Sequence, residues 1–309
     1  MFYNIGEKRN QIPVFTGTTF GAGGFMKKYF YLLGCVLALS VAAGCGKKSG
    51  NSIQIKGSDT MVNLVQAWSE EFSRENPDAN MSVTGGGTGT GIASFISGSC
   101  DIVAASRQME PKEIELAKRN GLEEKEFIVS LDGIAVVVNP KNPAGKLTVG
   151  QLRDIFTGKI RNWKEVGGND AKIVLLSREI NSGTHVFFKE HILRNGNPKG
   201  SEEFAPGALL MPSSQAIADE AAQNTDTIGY YGMGYISPKQ KLVAVSKGPG
   251  MPFVLPSIET VQNNTYPISR PLYLCTQNNA PEAVARFVDF ALSPKGQEIV
   301  KKLDFVPVK

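Results

Sequence analysis

Residues 53–61 read Ile-Gln-Ile-Lys-Gly-Ser-Asp-Thr-Met. Ile53, Gln54, Ile55 and Lys56 alternate apolar and polar, the period of a half-buried strand. The run stops at Gly57-Ser58-Asp59-Thr60, and the period then changes. Met61, Leu64, Val65, Trp68 and Phe72 follow helical spacing until Asn76-Pro77 ends it. One short segment thus encodes a strand, a loop of small residues and a helix.

The unit recurs along the chain. A short strand at 81–83 runs into Gly85-Gly86-Gly87-Thr88-Gly89-Thr90-Gly91, with a helix expected from Ile92. Residues 101–105 form a third strand, followed by Ser106-Arg107, a helix at 110–120 and a long β-rich run at 127–139. Beyond it come a helix at 147–157, a turn at 158–163 and a strand at 173–176. Arg178-Glu179-Ile180-Asn181-Ser182-Gly183-Thr184 then leads into a helix at 185–193. Residues 215–223 read as a helix, 228–232 and 272–275 as strands, and 281–292 and 295–302 as helices. Alternating strands and helices predict a parallel α/β sheet. The last two helices have no sheet of their own, so they are expected to pack back on the first domain and make it discontinuous in sequence.

The 309 residues suffice for two domains, and 41% hydrophobic with 20% charged residues is ordinary globular composition. The net charge of +4 is concentrated at the start. Residues 1–45 carry +3, which leaves +1 for the rest and no field to attract nucleic acid.

Residues 26–45 have the form of a secretory signal: Lys27-Lys28, an apolar run from Tyr29 to Val41, then small residues. Ala42-Ala43-Gly44-Cys45 resembles a bacterial lipobox, with Cys45 as the lipidated residue. A plain signal peptide with an incidental Cys is the alternative. Met26 reads as the start, residues 1–25 as over-called reading frame, and 46–52 as a polar tether. Cys100 and Cys275 remain, as a disulfide or as buried thiols. His185 and His191 are six apart, off one helix face, so neither a metal nor a cofactor is expected.

The loops at 57–60, 87–91 and 182–184 share one chemistry. The first N–H groups of a helix have no internal partner and carry the positive end of its dipole. An anion placed there gains oriented donors, and Ser or Thr adds a hydroxyl. Each loop alone also reads as an ordinary N-cap. Arg178, four residues before Ser182, adds a planar fork suited to an oxyanion. Nucleotide motifs fail on spacing: no Gly-Lys fits a P-loop, and after Gly87 and Gly89 the third dinucleotide position is Ile92. No G-x-S-x-G elbow is present.

Along nearly all of residues 53–309 these motifs resemble the phosphate-binding proteins of bacterial ABC phosphate importers. The stretches that carry the resemblance are I-x-x-x-G-S-D-T-M at 53–61, G-G-G-T-G-T-G-I at 85–92 and D-I-V-A-A-S-R at 101–107. L-D-G-I-A-V-V-V-N-P at 131–140, L-x-x-I-F-T-G-K-I-x-N-W at 152–163 and S-R-E-x-x-S-G-T at 177–184 complete the set. The resemblance implies an α/β, type II-like periplasmic-binding-protein fold of two lobes, with the ligand in the interlobe cleft. Lobe I would comprise 53–134 and 267–309, and lobe II 135–266, with hinge crossings near 131–138 and 264–272. Carried over by motif, Ser58, Asp59, Thr60, Thr88 and Ser106 would bind phosphate from the first lobe. Arg178, Ser182, Gly183 and Thr184 would bind it from the second. Arg107 reads equally as an extra contact or a structural ion pair.

Two positions depart from the family pattern. Many relatives carry an acid two residues after the Arg, where this chain has Ile180, so either another acid orients Arg178 or the Arg sits more freely. Some carry Asp where this chain has Ser106, an acceptor for the proton of hydrogen phosphate that sulfate lacks. Asp59 is the candidate replacement and Asp132 the second; Asp59 reads equally as an N-cap. The implied partners are inorganic phosphate, ABC permease subunits and, through them, a cytoplasmic ATPase. The implied location is the periplasm or cell surface, held by a lipid anchor. The rival readings are another oxyanion (sulfate, molybdate, tungstate), a phosphate sensor, and a hydrolase using Ser182 with His185.

Overall fold

The computed structural model describes residues 52–308. The expected signal, Cys45 and nearly all of the tether lie outside the described residues. The strands, in chain order, are β1 (Ser52–Gly57), β2 (Asn80–Thr84), β3 (Ile102–Ala105), β4 (Glu124–Val138), β5 (Lys146–Thr148) and β6 (Val174–Arg178). They continue with β7 (Leu209–Met211), β8 (Thr227–Gly232), β9 (Lys241–Leu242), β10 (Ala244–Ser246) and β11 (Ser269–Gln277). One nine-stranded sheet has the order β2-β1-β3-β11-β4-β8-β6-β7, with β9 beside β4; β10 and β5 pair separately.

The sheet is mixed, which corrects the parallel expectation. β1 runs parallel to β2 and β3, and β6 parallel to β7 and β8. Between these halves β11 is antiparallel to β3 and β4, and β4 is antiparallel to β8. Parallel pairs need helical crossovers, which sequence alternation detects. The periodicity of β4 and β11 says nothing about their direction.

β4 carries the change from one half to the other. Its residues 124–133 pair with β11, and 134–138 pair with β8. Ile134–Val138 are fully buried, because both faces of this stretch are covered. Ile134, Val136 and Val138 join one apolar cluster, and Ala135 and Val137 another. A different core holds Ile53, Ile55, Leu64, Trp68, Leu274 and Phe287. There the helices Glu282–Leu292 and Pro294–Lys302 pack on Val62–Glu75, as their lack of a sheet predicts. The Trp68 indole donates to the Gly296 carbonyl at 2.8 Å. Burying each large side chain here contributes roughly 1.5–3 kcal/mol. After the last helix the chain returns to β4, where Leu131 and Val306 exchange backbone hydrogen bonds of 2.8 and 3.0 Å.

Most element boundaries shift by a few residues from the sequence reading, and three of the shifts concern helix starts. The helix expected from Ile92 starts at Thr88, so the Thr-Gly-Thr-Gly run is its first turn. The helix expected at 147–157 is Val149–Phe156, because Leu147 belongs to β5. The helix expected from His185 is Gly183–Phe188, and it widens into a π-helical turn at Lys189–Leu193. Gly57 fixes the end of β1. Its φ is +142°, and a Cβ there would lie 2.1 Å from the Ala104 carbonyl oxygen. The adjoining Ser58 N–H donates to that same oxygen at 2.7 Å.

Candidate functional site

The loops that the sequence marks out converge on one buried locus. The Thr60 and Thr184 hydroxyl oxygens lie 2.9 Å apart. Those of Thr88 and Ser106 lie 3.2 Å apart, and the Ser106 N–H donates to Thr88 Oγ1 at 3.0 Å. Gly183 packs directly on the second pair, since a Cβ there would stand 2.5 Å from Ser106 Oγ and 2.6 Å from Thr88 Oγ1. Ser58, Thr60, Thr88, Ser106, Ser182 and Thr184 are all buried. Asn181 ties the loops together. Its carbonyl accepts from the Gly89 N–H at 2.9 Å, and its amide donates to the Gly86 carbonyl at 2.8 Å.

These groups are hydroxyls, N–H groups and a glycine backbone. Ser182 Oγ is turned to its own helix and accepts from the N–H groups of Thr184 and His185 at 3.2 and 3.4 Å. The N–H groups of Thr184, His185 and Ser106 are thus satisfied within the protein, which leaves the hydroxyls of Thr60, Thr88, Ser106 and Thr184 as the polar lining of the locus.

Arg178 is 1% exposed and held from several sides. Nε donates to the Met211 carbonyl at 3.3 Å, Nη2 to the Pro212 carbonyl at 3.1 Å, and Nη1 to Ser214 Oγ at 2.9 Å. Asp59 Oδ2 lies 3.0 Å from Nη1 and accepts from the Ser214 N–H at 2.8 Å. Asp59 is thus the acid beside Arg178, while Ile180 points to solvent at 73% exposure. The side chain of Asp59 does not cap its own helical turn. This corrects the N-cap reading.

Sequence reasoning missed Arg270. It is buried in β11, where Nε and Nη2 donate to Asp132 Oδ2 at 3.2 and 2.9 Å. Asp132 Oδ1 accepts from the Met233 N–H at 3.0 Å. Burial pushes the Asp132 carboxyl up, and Arg270 and the Met233 N–H oppose that shift. One signal was available: an Asp in the apolar run 131–138 requires a buried cation as partner.

Other residues singled out by sequence lie elsewhere. Arg107 forms a bidentate pair with Glu113 at 2.7 and 2.8 Å, so its guanidinium is committed to the helix Pro111–Arg119. Cys100 and Cys275 are free, buried thiols. Burial pushes Cys100 up to about 12. His185 is turned away from Ser182: its Nδ1 sits 3.2 Å from Ser177 Oγ, which also meets the Tyr230 hydroxyl at 2.8 Å. Burial, with a smaller contribution from Lys189, holds His185 down to about 4. Among the described residues no group of three or more His, Cys, Asp or Glu is placed to hold a metal ion. Nor is any described helix long and apolar enough to cross a membrane.

The fold, with its polar locus between the halves, defines a two-lobe binding protein. The PBP superfamily domain model matches residues 43–295. A phosphate-binding protein PstS of Pseudomonas aeruginosa is 31% identical, over 84% of each chain. One from Staphylococcus aureus is 30% identical, over 88% of this chain and 86% of its own. Among solved structures, one from Clostridium perfringens is described as a phosphate ABC transporter substrate-binding protein with bound phosphate. It is 35% identical with a TM-score of 0.75, covering 84% of this chain and all of its own. An ABC-type phosphate transport receptor from Vibrio cholerae is 28% identical with a TM-score of 0.66, over 82% of this chain and 99% of its own. The chain belongs to the PBP superfamily and, within it, to the PstS family of phosphate-binding proteins.

Proposed function

We infer that the protein captures inorganic phosphate in the interlobe cleft by closure and delivers it to an ABC importer. The observation that carries this reading is the meeting of Thr60, Thr88 and Ser106 with Gly183 and Thr184 at one buried, donor-rich locus. Phosphate first meets one lobe, and closure then lets donors from both replace its hydration shell. Only the closed form presents all of them together, so closure depends on the ligand.

The proposed binding set is Ser58, Asp59, Thr60, Thr88, Ser106, Arg178, Ser182, Gly183 and Thr184. Asp59 takes two roles. Its Oδ2 orients Arg178, and its other oxygen accepts the proton of hydrogen phosphate. A buried acceptor facing sulfate would meet only repulsion, so this carboxylate supplies the discrimination. Lobe I is assigned to 53–134 and 267–309 and lobe II to 135–266, hinged where β4 and β11 cross. The separate apolar clusters on either side of Ile134 support that division.

Relatives named for phosphate binding and ABC transport support a permease pair and its ATPase as partners. The signal at 26–45 supports an extracytoplasmic location with a lipid on Cys45. The reading is a carrier without catalysis, supported by His185 facing Ser177 instead of Ser182. Calorimetric competition between phosphate, sulfate and molybdate tests it. Tight phosphate binding with sulfate silent is the expected result; preference for another oxyanion would move the ligand.

A further inference from the structure

Arg270 stands where the two halves of the site meet. Its Nη2 reaches Thr184 Oγ1 at 2.8 Å and Thr60 Oγ1 at 3.4 Å. Its Nη1 donates to the Ser106 carbonyl at 3.0 Å. The guanidinium carbon lies 5.4 Å from the Phe187 ring centre. One side chain therefore touches the loop after β1, the end of β3 and the helix Gly183–Phe188.

The consequence follows from counting donors. A Thr hydroxyl has one proton and two acceptor lone pairs, whereas a guanidinium only donates. One Nη2 proton goes to Asp132 Oδ2, so the other is accepted by Thr184 Oγ1, with Thr60 Oγ1 the longer partner of the same proton. The bond that Thr60 and Thr184 share uses one of their two protons. The other proton is left to donate outward, beside a buried positive charge that strengthens any bond it makes to an anion. Asp132 supplies the countercharge without which a buried guanidinium would be costly.

Resting on the reading of this locus as an oxyanion site, we propose that Arg270, anchored by Asp132, is a positioning residue. It fixes the Thr60–Thr184 pair as a donor to the bound anion and so couples capture to closure. The test is a double-mutant cycle between Arg270→Gln and Thr184→Val, with phosphate titrated calorimetrically into the purified protein. Arg270→Gln should weaken binding at least about tenfold in the wild-type background. It should do much less once the Thr184 hydroxyl is gone. Arg270→Lys, which keeps the charge but loses the fork, should fall between, and it carries the cycle if the Gln variant does not fold.

Unchanged affinity in the Arg270 variants, or an equal factor in both backgrounds, overturns the proposal and leaves a purely structural ion pair. If the wild type takes up sulfate or molybdate instead of phosphate, the phosphate reading fails while the cycle is run with that anion. If no oxyanion binds, both fall together.

Discussion

The hydroxyl oxygens of Thr60 and Thr184 lie 2.9 Å apart although 124 residues separate them in the chain. One belongs to the loop after β1 and the other to the helix that follows β6. The two halves thus meet here through hydroxyl groups of the proposed binding set. Such a contact closes well around an oxyanion and poorly around anything that cannot accept hydrogen bonds.

Thr184→Val removes one of these hydroxyls at nearly constant volume. Phosphate affinity should fall by about tenfold, the effect of one charge-assisted hydrogen bond. Thermal stability without ligand should change little. Calorimetry and a thermal melt on the same sample separate the two effects.

Gly183→Ala puts a methyl group where Ser106 Oγ and Thr88 Oγ1 would stand 2.5 and 2.6 Å away. Those atoms cannot retreat without breaking the Ser106 N–H bond to Thr88. The variant should fold but close poorly. Its phosphate affinity should drop by about 5- to 150-fold, since overpacking costs about 1–3 kcal/mol. X-ray scattering should show little compaction on adding phosphate.

Asp59→Asn keeps the shape beside Arg178 and loses the negative charge. Phosphate should bind on the order of tenfold more weakly, and sulfate, silent before, should now compete. A variant that still rejects sulfate would move the proton acceptor to Asp132.

The loops at 57–60, 87–91 and 182–184 were legible because in each a run of Gly, Ser and Thr separates a strand from a helix, and their helices start within a few residues of expectation. Their convergence was not legible, since spacing along the chain does not give the direction of β4 or β11. Ile180 signalled that Arg178 needed another acid. Identifying it as Asp59 required the approach of the β1 loop to β6, which no local pattern encodes. Arg270 escaped for the same reason. Within Ser269-Arg270-Pro271-Leu272 it reads as a surface position, and its partner Asp132 lies on the neighbouring strand in a run dominated by apolar residues.

His185 gives the fold a pH dependence. Its folded pKa is held down to about 4 from an ordinary 6.5. Between those values the unfolded chain binds a proton that the folded chain refuses, so stability is lost as pH falls from 6.5 toward 4. Lys189 and Arg178 reinforce this and Glu203 opposes it. His191 is also held below its ordinary value by burial, so the single variant His185→Gln isolates the His185 contribution. Tm should fall by roughly 5 °C in the wild type over this range, and by less in the variant.

A crystal structure of the protein with phosphate tests the central claim most directly. Phosphate oxygens are expected within about 3 Å of the hydroxyls of Thr60, Thr88, Ser106 and Thr184, at the Gly183 backbone. Phosphate bound away from these hydroxyls, or none at saturating concentration, would contradict the account.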